Sequence, residues 1–274
     1  MPRTGHRRSL TAAAALLAML AAPAAAQAAT YTVKAGDGPC GAADLACGTL
    51  ADAATAAAPG DVFNVAPSPT PYGSATFTVG GVTIAGTAAG VAVDGSLVFS
   101  GTTGGVSKLS TMVISTGTGS GASVSVTGPA GLEISDSLIL NPNGDGVQFH
   151  EGTANKIVRS TIATGGQTTA AVHVLSADAS SAAKALTMES SLVVGGNAGV
   201  SVNTGVNALA STAGGVTLTL RHVTSAGSAH GLVLDSTKAV AAPLAAGVGS
   251  IVANVTDSII QGPVAKTPYA GLPP

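Results

Sequence analysis

The chain has no tryptophan, few charges and only two cysteines in 274 residues, and each shortage removes a class of protein. Charged side chains make up 9%, against about 25% in an average soluble domain. A disordered chain needs the opposite balance, low hydrophobicity with high charge. Beyond residue 8 there is no cluster of Lys or Arg, which argues against nucleic acid or anionic lipid as a partner. Without Arg3, Arg7 and Arg8 the chain holds 8 basic and 13 acidic residues, a net of −5. Aromatic residues are 3%, too few to build the stacking platforms on which sugars usually rest. Two cysteines do not close a zinc site, and no metal or other cofactor is expected. After residue 28 no apolar run is long enough to cross a membrane as a helix. Helical periodicity is nearly absent after residue 60.

What remains is Gly, Ala, Ser, Thr and β-branched residues in a repeat. An apolar residue, two variable residues, a small hydroxyl residue and another apolar residue recur at Ile134–Leu138, Val158–Ile162, Met188–Leu192 and Val255–Ile259. A weaker copy runs from Leu220 to Thr224. A strand-like triplet follows four of these after 12 to 14 residues, at Val147–Phe149, Val172–Val174, Val200–Val202 and Leu232–Leu234. Repeats of this length mean stacked coils, in which each unit buries its apolar face against its neighbours. Gly-rich stretches between them suit coil corners. Insertions at 175–185 and 203–215 read as loops on one side of the stack. After Val255 no triplet follows at the usual interval, so the last coil reads as incomplete.

The N-terminus has the order of an export signal. Arg3, Arg7 and Arg8 precede an uncharged Ala- and Leu-rich run, which ends in Pro23 and an A-x-A site at Ala26-Gln27-Ala28. Cleavage near Ala28 and a secreted or cell-envelope location are expected, by the general or the twin-arginine route. In that oxidising compartment Cys40 and Cys47 are expected to form a local disulfide. Residues 1–28 are thus read as signal peptide and 29–60 as an N-terminal cap. Residues 61–262 are read as coils and 263–274 as a Pro-rich tail.

The cap has its own grammar. Thr49 and Asp52 form a capping-box-like pair ahead of an Ala-rich helix, with Leu50, Ala53, Ala54 and Ala57 on one face. Pro59-Gly60-Asp61 stops the helix. Val62, Phe63 and Val65 follow as a strand, then Tyr72. In this order of features the stretch resembles the start of right-handed parallel β-helix proteins of the pectate-lyase-like superfamily, notably a secreted bacterial subset with Cys residues before the helix. The resemblance covers the cap specifically and residues 60–262 loosely. It implies an all-β fold, a single-stranded right-handed parallel β-helix (solenoid) with a short N-terminal capping α-helix.

The resemblance also implies where catalysis would lie, and most of the parts are missing. Pectate lyases cluster Asp and Glu around calcium beside an Arg or Lys base; here the carboxylates are scattered, and Asp145 alone is a calcium candidate. Asp136 and Asp257 align within their repeats but about four coils apart, too far to share one ion at roughly 4.8 Å per coil. Arg159, Glu189 and Arg221 align as a column, which reads as a salt-bridged stripe or a holder for an acidic sugar. The polygalacturonase branch uses an Asp-Asp pair and a Gly-His-Gly element; Ala229-His230-Gly231 echoes only the second. Arg221 and His230 are therefore the catalytic candidates, and His150 and His173 read as surface or turn residues. Thr217 and Thr219 do not recur in register as an ice-binding face would require. The expectation is a monomeric, noncatalytic secreted β-helix with a structural, adhesive or weak glycan-binding role, its partners polysaccharide or cell-envelope components. The alternative is a polysaccharide lyase or glycoside hydrolase acting on acidic polysaccharide, where calcium would enter.

Overall fold

The computed structural model describes residues 28–41, 43–117, 119–175, 183–204, 215–235 and 250–267. The proposed signal peptide falls outside them but for its last residue. So do most of the two insertions and the end of the tail. Nearly every described segment is a β-strand, and the strands form three parallel sheets of ten, eight and seven strands. One turn of the chain reads Leu132–Ser135, Leu138–Asn141 and Val147–Phe149. These strands lie in what we term the first, second and third sheets, and each pairs with its counterpart one turn later. Parallel pairing of this kind requires a crossover between partners, and here the other two sheets supply it. The fold is a right-handed parallel β-helix.

The repeat seen in the sequence contains a corner. In the copy from Ile134 to Leu138, Ile134 belongs to the first sheet and Leu138 opens a strand of the second. Each turn therefore has three strands where two were legible. The apolar stretch from Leu109 to Ile114 likewise belongs to two strands, Ser107–Ser110 and Met112–Ser115, split at Thr111. The hydroxyl residue in the repeat has a defined task at this corner. Ser137 Oγ donates to the Ser135 carbonyl at 2.8 Å and accepts from the Met112 amide at 3.3 Å. Ser160 and Ser191 repeat the arrangement, accepting from the Ser137 and Ser160 amides at 3.2 Å each. Where the bend breaks the ladder, serine supplies the acceptor that a buried amide needs.

One copy is out of register by a residue. Ile134 pairs with Ile157, not Val158, and Ile157 pairs onward with Met188, which pairs with Leu220. Both Ile157 and Val158 are apolar and buried, so pattern alone does not choose between them. The inward columns are otherwise mostly apolar, interrupted by the buried Ser107, Asn155, Lys184 and Ser225. At the N-terminal end Tyr31, Phe63, Phe77 and Phe99 make a chain of ring contacts with centroids 5.1, 6.2 and 5.5 Å apart, so the scarce aromatics serve the core.

The cap is built as its residues suggest. Thr49 Oγ1 accepts from the Asp52 amide at 3.0 Å and donates to the Asp52 carboxylate at 2.7 Å, ahead of helix Leu50–Ala56. Leu50, Ala53 and Ala54 are buried against the first coils. Asp61 explains the turn after the helix: its carboxylate accepts the Ala58 amide at 2.8 Å and the Ala29 amide at 2.7 Å. Tyr72 is buried, and its hydroxyl reaches the Ala66 carbonyl at 2.8 Å. The Cys40–Cys47 disulfide is present, with Cys47 in a short strand at the edge of the first sheet.

At the other end the last turn is complete in its three strands. Val264–Thr267 pairs with Leu232–Asp235 in the third sheet, which extends the coils past residue 262. It starts nine residues after Val255 because strand Ile259–Gln261 and a turn at Gly262 (φ 102°) shorten the path.

Candidate functional site

Because side chains alternate along a strand, every second residue of the first sheet faces solvent. Stacked in register, these residues make columns that run the length of the helix. One outward column reads Lys108, Glu133, Lys156, Thr187 and Thr219. Its neighbour reads Ser135, Val158, Glu189, Arg221 and Thr256. Four of the seven described Lys and Arg residues thus lie on this face or its corner, namely Lys108, Lys156, Arg159 and Arg221.

The column expected from the sequence is corrected by the one-residue slip. Val158, not Arg159, stands in line with Glu189. Glu189 is held instead by Lys156 at 3.2 Å and by Arg221 at 4.0 Å. Arg159 moves to the corner, where it grips Asp136 with two hydrogen bonds of 2.7 Å. This pairing holds the Asp136 carboxyl below the usual carboxylate range and raises the Arg159 guanidinium. Both groups are exposed, so solvent screens the pair and it adds little to stability. A shallow depression beside it is lined by Thr111, Asp136, Ser137, Leu138, Arg159 and Thr161. A second, lined by Glu133, Asn155, Lys156 and Thr187, lies against the charged column.

The corner itself is strained. Thr111, Asp136, Arg159, Ser190, His222 and Asp257 all have φ between 45° and 57°, a region that costs a side-chain-bearing residue about 1–2 kcal/mol. None is Gly. The ridge therefore keeps polar side chains in positions where Gly would be easier on the backbone. Ser190→Gly is expected to raise stability by about 1 kcal/mol, the relief exceeding the extra unfolded-state entropy of Gly. That corresponds to about 2–4 °C in the melting temperature, and a thermal melt followed by circular dichroism checks it.

The other candidates lie elsewhere. His230 opens strand His230–Asp235 of the third sheet, in register with Ala198. Strand Thr224–Gly227 of the second sheet separates it in the chain from Arg221, which faces outward from the first. The structure does not bring the two catalytic candidates together. Asp145 is buried, and its oxygens are already engaged. Oδ1 accepts from the Ala170 amide at 2.7 Å, and Oδ2 meets Gln148 Nε2 at 2.7 Å and His173 Nδ1 at 2.8 Å. Burial is the largest single influence on this carboxyl and pushes it up; the donors together outweigh it and hold it below its ordinary value. A calcium ion would have to displace these donors, and no group of three His, Cys, Asp or Glu residues fit to hold a metal exists among the described residues. Sequence reasoning missed the Asp145–His173 pair because 28 residues separate them; counting one coil length forward from Asp145 would have brought it near.

Among the described residues no helix is long and apolar enough to cross a membrane. In comparisons with known proteins, no family model, no curated protein and no solved structure matches this chain.

Proposed function

We propose that this is an exported β-helix protein that binds charged polysaccharide at or beyond the cell envelope through the outer face of its first sheet. The observation that carries the reading is the gathering of scarce charge there. A chain with 9% charged residues sets Lys108, Glu133, Lys156, Glu189 and Arg221 on one flat face. Regular spacing of about 4.8 Å between rungs presents alternating cations and anions to an extended polymer. The export-type N-terminus, the disulfide and the cap that resembles pectate-lyase-like proteins support an extracytoplasmic setting. The face has the character of a binding surface, since Glu189 is paired with Lys156 and Arg221. A lyase or hydrolase of acidic polysaccharide would want several carboxylates together, or Arg221 beside His230, and the described residues offer neither.

The test is affinity electrophoresis of the purified chain, from Ala29 onward, in gels containing acidic or neutral polysaccharide. Retardation by the acidic polymer is expected to weaken about tenfold in the double variant Lys156→Ala/Arg221→Ala, a change of about 1.4 kcal/mol, and to fade with added salt. Equal retardation by neutral polymer, or insensitivity to both salt and the variant, would refute the reading. Release of sugar products from the acidic polymer would revive the enzyme alternative.

A further inference from the structure

The outer face of the third sheet carries a constellation that the charged face does not involve. Asp145, His173 and Ser201 lie on three successive turns of the helix. Asp145 sits at the corner before strand Val147–Phe149, and His173 lies on the next turn in register with Gln148. Ser201 follows one turn later, in register with His173. His173 and Ser201 are outward positions stacked along the coil axis, and the buried Asp145 reaches His173 from the corner.

The carboxylate is fixed. The Ala170 amide holds Oδ1 at 2.7 Å, while Gln148 Nε2 and His173 Nδ1 share Oδ2. An ionised, immobile carboxylate at Nδ1 selects the tautomer with its proton on that nitrogen, leaving a lone pair on Nε2. The two ring nitrogens face away from each other. Asp145 engages Nδ1, and Ser201 is the register neighbour of His173 on the following turn, one rung of about 4.8 Å away. No hydrogen bond joins Ser201 to His173 at rest. A serine repositions by one χ1 rotation, and catalytic contacts are commonly loose before substrate binds.

We propose that Asp145, His173 and Ser201 form a hydrolytic site for small acyl esters. Ser201 is the nucleophile, His173 the general base, and Asp145 the positioning residue that orients the ring. His173 Nε2 takes the Ser201 hydroxyl proton as Oγ bonds to the acyl carbon. Collapse of the adduct breaks the ester C–O bond, and the leaving alcohol takes the proton back from His173. Water, deprotonated by the same nitrogen, then attacks the acyl-serine; the acyl group leaves as a carboxylic acid and the serine is restored. The site lies on an outer sheet face, which suits a short acyl group presented on a small alcohol or on a polymer.

Two measurements on the purified chain test this. A fluorophosphonate probe is expected to label Ser201, as mapped by mass spectrometry, with labelling lost in Ser201→Ala. Hydrolysis of 4-nitrophenyl acetate is expected to fall about 100-fold in His173→Ala, within the range of general-base catalysis, and to recover partly with added imidazole. Labelling unchanged by Ser201→Ala, or hydrolysis unchanged by His173→Ala, would overturn the proposal. Both side chains face outward, so circular dichroism is expected to show the sheet intact in each variant. Hydrolysis of a small ester needs no polysaccharide, so failure here leaves the charged-face reading standing, and the reverse holds as well.

Discussion

Replacing Asn141 by Ala is expected to lower the stability of the protein by about 3 kcal/mol at neutral pH. Asn141 is fully buried at the corner between the second and third sheets. Its Nδ2 donates to the carbonyls of Gly121 at 2.7 Å and Asp145 at 2.8 Å. Its Oδ1 accepts from the amides of Asn143 at 3.1 Å and Gly144 at 2.7 Å. One side chain therefore satisfies backbone groups from the preceding turn and from the following loop. Alanine leaves the buried Gly144 amide without its acceptor, and each orphaned buried group costs about 1–3 kcal/mol. The Asp145 carbonyl keeps a second partner, the Ser123 amide at 3.1 Å, which limits the loss. Urea unfolding followed by circular dichroism measures the effect. Asn143→Ala, at an exposed position in the same loop, is the control and should change stability by less than about 0.5 kcal/mol. A loss under 1 kcal/mol in Asn141→Ala would mean that water takes over the same contacts.

The architecture was legible because stacking demands repetition, and repetition survives in a single sequence. Ile134, Met188, Leu220 and Val255 stand in one inward column, and their spacing announces it. The cap was legible for another reason. Thr49, Asp52 and Pro59 act on near neighbours in the chain, so local chemistry is enough; Asp61 caps nearby Ala58 in the same way, while its bond to the distant Ala29 amide carries no local signal. The number of strands per turn was not legible, because the bend between the first two sheets is made by ordinary residues in a left-handed conformation. Asp136, Arg159, Ser190, His222 and Asp257 carry no signature of that bend, whereas Gly would have announced it. Nor do the corner glycines all serve the conformation they suggest. Gly196 lacks a positive φ; a Cβ there would strike the Gly166 carbonyl of the preceding turn.

The site suffered from the same one-residue ambiguity that shifted the fold. Sliding one strand by a residue exchanges its inward and outward sets, and the choice between Ile157 and Val158 did so for one turn. The exchange put Arg159 in line with Glu189, when the ion pairs in fact run Lys156–Glu189–Arg221 and Arg159–Asp136. Contacts across the third sheet were harder still. Gln148 and His173 are the middle residues of two legible triplets and stand in register, but Asp145 reaches His173 from a corner outside those triplets.

Acid is expected to destabilise the protein chiefly through Asp145. Two carboxyls are held below their ordinary values, Asp136 by Arg159 and Asp145 by His173, Gln148 and the Ala170 amide against the opposing effect of burial. For a carboxyl lowered in the folded state, stabilisation is fully present above the unfolded value, about 3.9. It is lost as pH falls through the folded value. Asp136 is exposed and its pairing is screened, so it adds little. Asp145 is buried, and its protonation would remove a charged acceptor from three donors at once. Asp145→Asn is therefore expected to lower stability by about 2–3 kcal/mol at pH 7. As pH falls from 5 toward 3 the gap between wild type and variant is expected to narrow, since the wild type loses the charge that the variant never had. Urea midpoints taken across this range measure the gap. A gap that stays constant from pH 7 to pH 3 would show that the carboxylate charge contributes nothing, and that the corner is held by shape and neutral hydrogen bonds alone. Narrowing would place an ionised, rigidly held carboxylate beside His173, the condition on which the proposed role of that imidazole as a base for Ser201 depends.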